Sequence, residues 1–332
     1  MTYAGSNVTG TAGLIAVDKV GNKIRFYDPQ TLRETGHFDA PEPCAHELAI
    51  AHDHKTAFVP LYGDGIYGGN RNPNNKVLVV DLVRRRLADI IVLGEYVAPH
   101  GIVATREGKL WVVCDIPGKL LLVDPARRAV EAAYDCPAKG PHILALTPDE
   151  RKLYVSAKEG DLAAFDVAQG KFVAAIPMRA PGITSGNGSG SEGVTPTPDG
   201  KRLLAIDNDR GDIHVIDIVT DREIDRVPLA QNPPSPVKRS RLAKLMFSPG
   251  GRHLIATAYA SGLAWLVDAG DFRRQILVPV AKGPQGIAFA PDGKTALVSS
   301  HDSGILTQIA LADGRIVAAH DGGVGIEVLA WY

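Results

Sequence analysis

The stretch Gly286-Ile-Ala-Phe-Ala-Pro-Asp-Gly-Lys-Thr-Ala-Leu-Val298 decides the fold. A short apolar run stops at Pro-Asp-Gly-Lys and a second apolar run follows at once, which reads as two strands joined by a tight hairpin. The template returns along the chain. Gly101-Ile-Val-Ala-Thr-Arg-Glu-Gly-Lys-Leu-Trp-Val112, Ile143-Leu-Ala-Leu-Thr-Pro-Asp-Glu-Arg-Lys-Leu-Tyr-Val155 and Gly193-Val-Thr-Pro-Thr-Pro-Asp-Gly-Lys-Arg-Leu-Leu-Ala205 align with it, as do the segments opening at Glu47 and Lys244. A seventh copy opens at Val328 with no room to finish.

Each unit continues into a third strand, such as Leu120 to Val123, and a fourth. Four short strands repeating about every 42 residues, a period in the 20–50 range of stacked supersecondary units, predict a β-propeller. The segment Ile326 to Tyr332 can supply the first strand of a blade whose others are Leu14 to Val17, Lys23 to Tyr27 and Glu34 to Phe38. The expected fold is therefore all-β: seven four-stranded blades in one domain over residues 1–332, closed by both chain ends, which protects sheet edges. Blades should start near 46, 98, 140, 190, 241 and 283, with residues 324–332 and 13–40 forming the last.

Composition agrees. Hydrophobic content of 45% with 35 Gly and 23 Pro suits many short strands and turns. No run of 18 apolar residues exists, so no membrane span is expected. A net charge of -1 argues against nucleic acid or anionic lipid as partners. The first residues lack a basic and then apolar segment, so a cytoplasmic location is expected, or a periplasmic or secreted one if a signal peptide has been removed. Cys44, Cys114 and Cys136 show no paired spacing and read as buried free thiols. A closed ring with charged outer strands needs no partner, so a monomer suffices.

The Pro-x-Gly-Ile-Ala-x-x-Pro-Asp-Gly-Lys pattern, with a Tyr-Val-type strand and a Val-x-Asp third strand, resembles the YVTN-type propeller repeats over nearly the whole chain. That resemblance implies a seven-bladed propeller; its members include lactonase-like proteins, surface-layer modules and proteins without known chemistry, so function must be argued from the site.

One alignment column carries the chemistry. Immediately before each first strand's apolar run stand His46, His100, His142, Glu192, Ala243, Gln285 and Glu327; three of the intervals are 42 residues and the others are longer by 8 to 12. The longer intervals hold insertions at Gly63 to Asn75, Gly182 to Ser191 and Gln231 to Ser240. First strands line a propeller's channel, so the column should converge as a polar ring at one mouth, with the insertions above it. Imidazole and carboxylate suit a divalent transition metal such as Mn, Fe, Zn or Ni. The expected ligands are His46, His100, His142 and Glu327, with the choice between Glu327 and Glu192 open. A hydrated polar channel is the competing reading.

A second shell of residues ends the second strands at the same mouth. From it His301 and Tyr259, together with Glu192, are the expected proton-transfer groups. Gln285, Lys244, Arg241 and Tyr62 are the expected substrate contacts, Arg239 and Arg241 being suited to a carboxylate. His52 and His54 fall in a hairpin turn and read as surface residues, and Arg84 to Arg86 read as a solvated outer turn. The expected activity is metal-dependent hydrolysis or β-elimination of a small lactone, ester or uronate-like substrate. A non-catalytic scaffold is the alternative, marked by apolar anchors at the mouth.

Overall fold

The computed structural model describes residues 13–178, 190–208, 211–230 and 244–332. Every regular element among them is a strand, arranged as seven four-stranded antiparallel sheets in a ring. No helix is long and apolar enough to cross a membrane. Blades one to six start with strands Ala49–Ile50, Pro99–Ala104, Lys139–Leu146, Val194–Pro196, Leu245–Phe247 and Pro284–Phe289. The closing blade joins Ile326–Trp331 to Leu14–Asp18, Lys23–Tyr27 and Glu34–Asp39, and Tyr332 and Gly13 exchange two backbone hydrogen bonds.

Period-two alternation explains the packing. Along Leu14–Asp18, Ile15 and Val17 pack on Val59, Leu61 and Leu78 of blade one. Leu14 and Ala16 face the other way, onto Leu297 and Leu306 of blade six. Inner strands are thus buried on both faces and read as continuous apolar runs. Fourth strands such as Ala129–Asp135 alternate, because one edge of each blade meets water.

The hairpins between first and second strands form a plain face. Their turns require a left-handed residue, supplied by Gly200, Gly251 and Gly293. His54 takes the same conformation in blade one, which accounts for its turn without a ligand role. The three thiols are free; Cys114 is buried as expected, whereas Cys44 and Cys136 are half-buried beside loops, a correction to the expectation of three buried groups.

Candidate functional site

Strand pairing slips at the ring column. In blade two Pro99 pairs with Cys114 and Ile102 with Val112, so His100 and Gly101 together face one residue. The same two-to-one count occurs at His142 and Ile143 opposite Ser156, and at Gln285 and Gly286 opposite Ser299. Glu327 is the extra residue between Val328 and Ile326, which pair with Val17 and Asp18. These are β-bulges, which break the alternation and re-aim a side chain. The freed N–H is capped by a hydroxyl on the second strand: Ile143 donates to Ser156 Oγ at 2.9 Å and Gly286 to Ser299 Oγ at 3.0 Å. Gly101 permits a close blade contact, since a Cβ there would stand 2.4 Å from the His142 carbonyl oxygen.

Six members of the column, four of them at these bulges, line one cavity of about 650 Å³. His46, His100 and His142 lie ring against ring, with centroids 4.1 and 4.0 Å apart. Tyr62 packs edgewise on the first two, at 5.4 and 5.3 Å. Carboxylates flank the row. Glu327 Oε2 lies 2.6 Å from His46 Nδ1 and Glu192 Oε2 lies 3.3 Å from His142 Nδ1, both off the line a hydrogen bond needs. Beyond them Lys19 and Lys158 reach Glu327 and Glu192 at 3.4 and 2.6 Å. The array reads Lys, Glu, His, His, His, Glu, Lys, with His100 at its centre.

Burial, helped by neighbouring cations, holds His100 and His142 well below the ordinary imidazole pKa. Burial also lowers His46, against the pull of Glu327. Burial pushes Glu327 up, but His46, Lys19 and Lys244 outweigh it and keep the carboxylate ionised. The row therefore offers three imidazoles held toward the uncharged form, flanked by the Glu327 carboxylate and by Glu192. The Nδ1 atoms of His100 and His142 are buried with no hydrogen-bond partner.

The far wall comes from blades five and six. Lys244 extends across the channel to Glu47 of blade one, at 2.5 Å. Gln285, Tyr259 and His301 also line the cavity. Tyr259 donates its hydroxyl hydrogen bond to Asp302, and His301 Nδ1 lies 3.0 Å from Asp302 Oδ1. Tyr62 donates to Asp115 at 2.6 Å. The Gly63 to Asn75 insertion folds over the mouth, tied by Asp64 accepting from the Arg71 and Asn72 amides, and adds Ile66 and Tyr67 to the wall. Arg239, Arg241, Ala243 and most of the other two insertions lie outside the described residues.

The sequence reading missed Lys19 and Glu47. Both had a signal: Lys19 follows the closing blade's second strand where Lys158, Tyr259 and His301 stand in theirs, and Glu47 occupies the position of Lys244. Among the described residues, three metal-type donor atoms within 4.8 Å of one another occur at Asp207, Asp212 and His214. Arg226 already stands 3.1 Å from Asp207 and 3.8 Å from Asp212, so that cluster holds its cation and reads as an ion network. In the main cavity the imidazoles lie side by side rather than gathered on one point. A larger groove, about 890 Å³, lies on the plain face among turn residues such as Asp199, Arg252 and Asp268, and lacks a convergent buried polar set.

No protein-family profile and no curated protein matches the chain. Solved structures resemble it in fold. Kuenenia stuttgartiensis hydrazine synthase is 17% identical with a TM-score of 0.69, over 89% of this chain and 92% of that one. A functionally unknown protein from Desulfotomaculum acetoxidans is 13% identical with a TM-score of 0.72, over 96% and 98%. At such identities the likeness shows the propeller alone.

Proposed function

We propose that the cavity holds a divalent transition metal on His46, His100 and His142 and acts on a small oxygenated substrate of the lactone, ester or uronate class. The observation that carries this is the row of buried, uncharged imidazoles with unpartnered Nδ1 atoms. A buried ring nitrogen without a hydrogen bond is costly unless something else binds it. The donor types suit Mn, Fe, Zn or Ni, being borderline nitrogen with hard carboxylate oxygen, and the side-by-side imidazoles would have to turn toward one point to share the ion. Glu327 or Glu192, which flank His46 and His142, completes the set.

When bound, such an ion supplies Lewis acidity toward a carbonyl or a water. The chain supplies the rest. Gln285 and Lys244 face an oxygenated substrate from the far wall, Tyr62 walls it against the imidazoles, and His301 exchanges the proton. Removal from water gives hydrolysis; removal alpha to a carbonyl gives elimination. The YVTN-type repeat, with its lactonase-like members, is compatible with the first outcome.

Elemental analysis after dialysis against trace Mn, Fe, Zn and Ni tests the reading. About one ion per chain should remain and should be lost in His100→Ala; no retained ion in either protein removes the proposal. A lactone panel monitored by acid release and a uronate oligosaccharide monitored by alkene absorbance then separate hydrolysis from elimination. A second reading, a partner-binding disc, draws on Val20, Ile66, Ile116 and Val324, all more than half exposed on the mouth face. It predicts metal-free protein with an intact fold.

A further inference from the structure

Two tyrosine-aspartate pairs link neighbouring blades at the mouth, their aspartates one position apart in the repeat, and their differences assign a role. In each, a tyrosine ending one blade's second strand donates to an aspartate just after the next blade's second strand: Tyr62 to Asp115 and Tyr259 to Asp302. The first pair is the more deeply buried, although Tyr62 lines the cavity as Tyr259 does. Asp115 is 5% exposed, one of its oxygens has no partner, and burial pushes its acid up to about 6. The second pair is more exposed and carries an added group lining the cavity, His301, whose Nδ1 contacts the same Asp302 oxygen that Tyr259 uses. Burial raises Asp302, yet the hydrogen bonds from Tyr259 and His301 and the charge of Lys282 together keep it below the ordinary carboxylate value.

Deepening the function proposed above, we infer that Asp302 is the positioning residue of a Tyr259–Asp302–His301 proton-transfer unit, which faces the imidazole row across the cavity. An anionic carboxylate on Nδ1 demands the tautomer with hydrogen on Nδ1, leaving the Nε2 lone pair free. That lone pair takes a proton from a bound water or from a carbon alpha to a carbonyl. The electrons of the broken bond stay on the substrate oxygen or carbon, and the imidazolium formed is stabilised by Asp302, the logic by which a buried aspartate supports a catalytic histidine. Tyr259 fills a second acceptor site on Asp302, which holds the carboxylate in place.

The backbone fixes this geometry. The His301 amide donates to Gly283 O at 2.8 Å, and Gly325 N donates to His301 O at 2.9 Å. Gly283 has φ +78°, and a Cβ there would stand 2.9 Å from Asp302 Cγ. A glycine is therefore required directly behind the carboxylate. The remaining charged groups facing the unit are Lys282, 4.0 Å from Asp302, and Glu327, felt at Tyr259.

The test reads the His301 ring by ¹⁵N NMR in metal-free protein, so it is independent of whether the metal assignment holds. Wild type should show hydrogen on Nδ1. Asp302→Ala should move the signals toward the Nε2-protonated form, Tyr259→Phe should produce a smaller move, and Asp302→Asn, whose oxygen can still accept, should restore the wild-type pattern. Tyr62→Phe, at the other pair, should leave the ring signals unchanged. If Asp302→Ala folds with the tautomer unaltered, the assignment is wrong. If it does not fold, unchanged signals in Tyr259→Phe with a wild-type pattern of Nε2 protonation refute it equally. Loss of substrate turnover in both Asp302→Ala and His301→Gln, with metal content unchanged, would separate failure of this unit from failure of the metal site.

Discussion

Removing the Ser156 hydroxyl tests whether the bulges are built features. Ser156 is fully buried, and its Oγ accepts from the Ile143 amide at 2.9 Å, directly after His142. Ser156→Ala deletes the partner of a backbone N–H that the bulge has taken out of the ladder. A buried donor left unsatisfied costs about 1–3 kcal/mol, and the small cavity left by one oxygen adds little. Urea denaturation with a fixed slope should therefore show a loss of about 2 kcal/mol. Ser156→Thr keeps the acceptor and should recover most of it. Because the bulge aims His142, the alanine variant should also retain less metal than wild type at equal folded fraction. A stability change below about 0.5 kcal/mol, the range of ordinary surface substitutions, would refute the reasoning, since the amide would then have another partner.

The pH response should contain two opposing parts. The imidazoles of His100 and His142 titrate below their unfolded value, so the unfolded chain binds more protons below about pH 6.5 and stability falls as pH drops through that region. Asp115, raised to about 6, acts in the other direction: between about 4 and 6 the native state binds its proton more tightly, so this contribution is present at low pH and lost as pH rises, a difference of about 3 kcal/mol. Asp115→Asn should therefore gain stability at pH 7.5, about 1–2 kcal/mol after the unpartnered amide hydrogen is counted, and should steepen the loss between pH 6.5 and 5; an unchanged profile in thermal melts would contradict the assignment. Lys244→Met strands Glu47 as a buried charge and should cost about 3–5 kcal/mol, most of it recovered in the Lys244→Met, Glu47→Gln double variant. If the double variant is as unstable as the single, the pair is not coupled.

The architecture was legible because periodicity and turn chemistry are local: Pro-Asp-Gly at 291–293 and 198–200 sets hairpins wherever it occurs. The convergence of His46, His100 and His142 was legible too, since equivalent positions in a closed ring meet. What the repeat concealed was its own violations. Register slips at His100, His142, Gln285 and Glu327 depend on cross-strand pairing, and a one-residue bulge leaves no mark in a single strand's pattern. The Lys244 to Glu47 bridge joins residues 197 apart in sequence, a distance set by ring diameter. Asp302 could be placed beside His301 by adjacency, but its hydrogen bond from Tyr259 needed the neighbouring blade.

The strand that brings Glu327 into the cavity is made after the other blades, and it pairs with the strand made before them. Contacts this distant in sequence form late. Closing the ring and completing the cavity are therefore a single event. A chain still open at this seam carries all three imidazoles but not the carboxylate beside His46, and it exposes an unpaired edge along Leu14–Asp18. The first properly assembled cavity appears only in a molecule that has already passed the test of joining its two ends.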